Sequence, residues 1–116
     1  MLRLRLFSKA FFTFSLFTLA CGVPTAQAAD KAHGKELFQK CVVCHGENGQ
    51  GKASQEAPRI AGQFDWYIVT ALKDFKSGAR QNPAMMPYIE NLSESDFEDL
   101  AAYISSLKLP ENQSEE

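Results

Sequence analysis

Residues 41–51 read CVVCHGENGQG, and the reading of the whole chain turns on them. Two thiols three residues apart, Cys41 and Cys44, are followed at once by the imidazole of His45 and then by small and polar residues. A structural zinc ion takes about four protein ligands. Three are offered here, two of them adjacent, and the remaining histidine, His33, has no cysteine beside it. A redox dithiol of the thioredoxin kind needs a strand–helix–strand setting, and no window of the chain alternates as a strand does. A disulfide across two residues closes almost no loop, so it stabilises little, and it leaves His45 without a role. Cys-x-x-Cys-His is the attachment signature of c-type haem. Residues three apart share a face of a helical turn, so both thiols can form thioethers with the two porphyrin vinyl groups. His45 then presents its imidazole to the iron. The expectation is one covalent haem c.

The N-terminus supports that reading. Arg3, Arg5 and Lys9 precede an apolar run, AFFTFSLFTLA (10–20), and the small-residue pattern Ala26-Gln27-Ala28 follows. The run falls short of the ~20 apolar residues that span a bilayer, so stable membrane insertion is not expected. Residues 1–28 read as a signal peptide cleaved after Ala28, and export to the periplasm is where bacteria attach haem covalently. Cys21, in TLACG (18–22), matches a lipoprotein site poorly because Thr18 stands where leucine is usual. Residues 29–109 then form one domain, and 110–116 a polar acidic tail. The mature chain keeps 9 Lys/Arg against 14 Asp/Glu, a net charge of −5. That balance disfavours nucleic acid and suits a partner with a basic docking patch.

Three segments carry a helical period. Around Lys31–Cys41, Gly34, Leu37, Phe38 and Cys41 share a face. In FDWYIVTALKDFKSG (64–78), the stripe is Phe64, Tyr67, Ile68, Ala71, Leu72 and Phe75, with Gly78 as a stop. The third starts at Ser93, with Asp96 three residues on in a capping-box position. It buries Phe97, Leu100, Ala101 and Ile104 and runs until Pro110. The fold class is all-α. The long connections, 46–62 and 80–92, hold apolar residues and are expected to wrap something. In the second, NPAMMPY (82–88) offers Met85 and Met86. A methionine thioether completing the iron's coordination raises the potential; the other methionine is core filler.

Together these features resemble the class I cytochromes c, in particular the small single-haem bacterial cytochromes c-553 and the haem domains of cytochrome c4. The resemblance covers Lys31–Leu107. It rests on Gly34 with Phe38, CVVCHG, PRIAGQ (58–63) with Tyr67, FKSGAR (75–80), the Met-Met-Pro loop and NLSESDFEDLAAYI (91–104). It implies the cytochrome c fold, three main helices with loops wrapping one haem. It also implies that Gly34 and Phe38 pack on Leu100 and Tyr103, and that the Pro58 carbonyl accepts a hydrogen bond from His45. The related ligand methionine sits six residues before the Asn of Asn-Leu-Ser, which selects Met85, with Met86 as runner-up. Arg59, Gln63 and Arg80 are expected near the haem propionates and Tyr67 along the haem edge. His33 is expected to be exposed and without a task. With no nucleophile or acid/base pair in view, the expected function is electron transfer by a monomer or weak dimer. The alternatives are the haem subunit of a periplasmic dehydrogenase, for instance of flavocytochrome type, and a haem-based binder of small ligands.

Overall fold

Asp30 opens the first helix, its carboxylate accepting from the backbone N–H of Ala32 (2.9 Å) and His33 (3.1 Å), which satisfies two otherwise orphaned donors. The computed structural model describes residues 27–109. The N-terminal basic and apolar segments, Cys21 and the tail 110–116 lie outside the described residues. Within them are α1 (Lys31–Phe38), α2 (Val42–His45), a 3₁₀ turn (Ala53–Gln55), α3 (Asp65–Ser77), α4 (Met86–Ile89) and α5 (Glu94–Ile104). The only β pairing among them is an isolated bridge, Lys52–Ala57. The all-α expectation holds. No described helix is long and apolar enough to cross a membrane.

The boundaries differ from the sequence reading in three places. The first helix was expected to reach Cys41, but α1 ends at Phe38. Its last donors switch to carbonyls three residues back, Lys40 N to Leu37 O and Cys41 N to Phe38 O, the tightening common at helix ends. Phe64 is not on the buried stripe of α3 but 69 % exposed. It precedes the helix in an extended conformation, so the helical phase that placed it there does not apply. α5 stops at Ile104, short of Pro110. The hydroxyls of Ser105 and Ser106 take the carbonyls of Ala102 and Tyr103, a local competition with the helix ladder. Gly62 N donates to the carbonyl of Ile104.

Other signals hold. Ser93 and Asp96 form a reciprocal capping box, and Gly78 ends α3 in the left-handed region at φ 80°, where glycine alone is unstrained. The core is Phe38, Ile68, Leu72, Phe75, Ile89, Phe97, Leu100, Ala101 and Ile104. Each large side chain among them contributes about 1.5–3 kcal/mol by leaving water.

The α1–α5 crossing depends on Gly34. A Cβ there would lie 2.0 Å from the Asp99 carbonyl oxygen, so only a bare Cα lets the backbones approach. Phe38 packs on Tyr103 with ring centroids 5.3 Å apart. His33 departs from its expected idleness: its Nδ1 lies 2.8 Å from Asp99 Oδ2, joining α1 to α5. That hydrogen bond raises the imidazole pKa above its ordinary value. Hydrogen bonds from Ser93 hold the Asp96 carboxyl below its own.

Candidate haem-binding site

Between α3, α5 and the two long connections lies a cavity of about 580 Å³, within the range that holds a small-molecule cofactor. Its inner wall is apolar, drawn from Leu37, Ile68, Leu72, Phe75, Leu100 and Ile104. Every residue singled out from the sequence as a site residue, except Met86, lines this one cavity: Cys41, Cys44 and His45, then Pro58, Arg59 and Gln63, then Tyr67, Arg80 and Met85.

α2 carries the thiol–imidazole motif as one helical turn, with Cys44 N and His45 N both donating to the Cys41 carbonyl (3.2 and 2.8 Å). Cys41 and Cys44 are free thiols. Burial, and then the neighbouring Cys44, push the Cys41 thiol up to about 11. At neutral pH it is therefore protonated, unlike a reactive thiolate. Among the described residues, three His, Cys, Asp or Glu ligand atoms converge at one place only, and it is not here.

His45 is 6 % exposed, and its Nδ1 lies 2.8 Å from the Pro58 carbonyl oxygen. A carbonyl only accepts, so Nδ1 carries the proton and Nε2 is the nitrogen left for a ligand bond. Such a partner orients the ring and makes the free nitrogen a better ligand. The carbonyl is brought there by the connection 46–62. Gly51 N donates to His45 O (2.7 Å), and Ile60 N and Ala61 N to Gly49 O (2.9 and 3.0 Å). Lys52 Nζ donates to Val43 O (3.0 Å), tying that connection back onto the motif turn.

Met85 stands at the N-terminus of α4, a short helix inside a segment expected to be loop. Asn82 builds it: its carbonyl accepts from Met85 N and Met86 N, and its side chain from Ala84 N. Met86 packs against the core and does not line the cavity. Asn82 and Tyr88 also line it, and the sequence reading missed both. Their places three before and three after Met85 were the available signal.

The polar side of the cavity is cationic. Arg59 and Arg80 form no ion pair among the described residues, and Arg80 lies over the Phe75 ring, 4.6 Å from its centroid. Tyr67 lines the cavity, whereas Trp66 faces away, 64 % exposed and stacked with Phe64. Two free thiols on one helical turn, an imidazole with a free Nε2, a thioether, an apolar floor and two guanidiniums without carboxylates are together what haem c requires. The residues present fit that group.

Comparison with known proteins agrees. The cytochrome c family profile matches residues 31–108. Cytochrome c-554(548) of Halomonas halodenitrificans is 40 % identical over 82 residues, covering 68 % of this chain and 98 % of that protein. The thiosulfate dehydrogenase electron acceptor of Stutzerimonas stutzeri is 35 % identical over 95 residues, 74 % of this chain and 43 % of its own length. Reduced recombinant cytochrome c4 from Pseudomonas stutzeri superposes with a TM-score of 0.63 at 31 % identity, covering 67 % of this chain and 48 % of that one. The chain thus spans nearly all of the first relative and about half of each of the other two.

Proposed function

The chain belongs to the cytochrome c family, and from that premise we propose that it is a periplasmic one-electron carrier whose single haem is bound through Cys41, Cys44, His45 and Met85. The cytochrome c fold and covalent haem c come with the family; the ligand set is our assignment. The observation that carries it is the single cavity onto which all four side chains open. When bound, the haem supplies an iron that cycles between Fe(II) and Fe(III). The protein's part is to change little while it does so. His45 is held by the Pro58 carbonyl in one tautomer. Met85 brings a neutral thioether, which favours the less charged ferrous state and a positive potential. The apolar floor acts in the same direction by excluding water. Arg59 and Arg80 are placed to neutralise propionates. No side-chain set on the cavity forms a nucleophile–base pair, so the chain carries electrons without turnover of its own.

A mature charge of −5 suits brief docking on basic patches of a donor and an acceptor, through small interfaces. One of the similar proteins is named as the electron acceptor of a thiosulfate dehydrogenase. This favours, as second reading, a carrier or haem subunit dedicated to one periplasmic dehydrogenase. Gel filtration of protein purified from its source separates the two, since a stable heterodimer sinks the free carrier.

The test of the site is the absorption spectrum of the exported protein, oxidised and reduced. A low-spin c-type spectrum with the ferric sulfur-to-iron band is expected. A haem spectrum without that band removes methionine as ligand and points to small-molecule binding. No covalent haem overturns the assignment.

A further inference from the structure

At the start of the α1–α5 crossing, away from the cavity, three ligating side chains from two helices meet. His33 Nδ1 lies 2.8 Å from Asp99 Oδ2 and 3.9 Å from Asp96 Oδ1, and one ligand atom from each residue lies within 4.8 Å of the other two. We propose that His33, Asp96 and Asp99 form a binding site for one borderline divalent cation of the zinc class, with water completing the coordination.

The geometry is close to what such an ion needs. Zinc bonds of ~2.0–2.2 Å to nitrogen and oxygen place tetrahedral ligand atoms roughly 3.3–3.6 Å apart, between the two distances observed here. The two carboxylates are aimed from outside the trio. Asp99 Oδ1 accepts the backbone N–H of Asp30 at 2.6 Å, which leaves Oδ2 for His33. Asp96 Oδ2 accepts from Ser93 N (2.7 Å) and Ser93 Oγ (2.8 Å), which leaves Oδ1. Outer hydrogen bonds of this kind orient metal-ligating carboxylates. One imidazole with two carboxylates is a donor set that suits zinc and its neighbours, whereas magnesium and calcium prefer oxygen alone. Without the ion the trio is closed by a proton, because Asp99 only accepts and His33 Nδ1 must donate. The ion and that proton compete for one nitrogen. Asp30, Asp96 and Asp99 face His33 and favour its charged form, and Lys76 of α3 acts on Asp96 from beyond. The imidazole is 43 % exposed, so an ion reaches it without unfolding.

The test is calorimetric titration of zinc chloride into the haem-loaded mature protein and its His33→Gln variant. It is run at about pH 7.5 and about pH 5.5, either side of the ordinary histidine value near 6.5. Glutamine at this half-exposed position of α1 keeps a good helix former there, and an unchanged haem spectrum verifies the fold. The expected result is one saturable site per wild-type chain at the higher pH. Binding weakens at least about tenfold at the lower pH and in the variant. Zinc also raises the unfolding midpoint of the wild type alone, because it binds only the folded crossing. Absence of a saturable site, equal binding by His33→Gln, or wild-type binding indifferent to pH would each overturn the proposal. In those cases the trio is an ion pair closed by a proton, and any zinc sits elsewhere.

Discussion

On the His45 wall of the cavity the polar supports come from between Cys41 and Ala61: the turn of α2, Gly51 N on the His45 carbonyl, Ile60 N and Ala61 N on the Gly49 carbonyl, the Pro58 carbonyl on the ring. On the Met85 wall the side chain has no hydrogen bond among the described residues; Asn82 shapes its turn locally, but where that turn sits against the cavity depends on remote packing. Ile89, 2 % exposed, anchors α4 in the core, and Lys76 of α3 reaches across to the carbonyl of Leu92. A ligand held by backbone hydrogen bonds close in sequence is positioned as soon as its loop closes. One held by burial is positioned only when the rest of the domain has folded, and it belongs to the part of a structure that opens first.

The strongest way to break this contrast is His45→Ala. It should abolish the low-spin spectrum while a denaturing gel stained for haem still shows covalent attachment through Cys41 and Cys44. Next is Ile89→Ala, expected to cost about 2–5 kcal/mol in urea unfolding. The ferric sulfur band should disappear at lower urea than the loss of helix. Coincident transitions would show that the two walls are equally secured. A smaller effect separates the methionines. Met85→Ala should remove the sulfur band and lower the potential in voltammetry, and Met86→Ala should keep both and lose only stability. A band that survives Met85→Ala and vanishes in Met86→Ala would reverse the assignment.

The smallest effect is on pH. The folded pKa of His33 is raised, chiefly by its hydrogen bond to Asp99. Its contribution is therefore fully present below the unfolded value near 6.5 and is lost as pH rises through the folded one. With a chelator present, wild-type unfolding midpoints should fall from pH 6 towards pH 8 relative to His33→Gln. Parallel curves would remove His33 as a clasp between α1 and α5.

Much of the site was legible because its signals are short. CVVCHG is one helical turn and one loop, and its spacing carries its chemistry. Gly34 and the Ser93–Asp96 capping box were equally legible, each resting on a steric or hydrogen-bonding demand a few residues long. Phe64 misled because helical phase was extended one residue past the true start of α3. Asn82 and Tyr88 were overlooked because Pro83 and Pro87 made their segment read as loop, though proline fits the first turn of a helix.

The sequence by itself determined the helical class and the thiol–imidazole motif on which the proposed haem attachment and histidine ligation rest, since each follows from residues close together in the chain. Only the tertiary structure decided which methionine faces the cavity, that Arg59 and Arg80 stand without acidic partners among the described residues, and that His33 meets Asp96 and Asp99. Those facts join residues dozens of positions apart, and such distances are set by how Gly34 lets α1 sink onto α5 and how Ile89 draws α4 into the core.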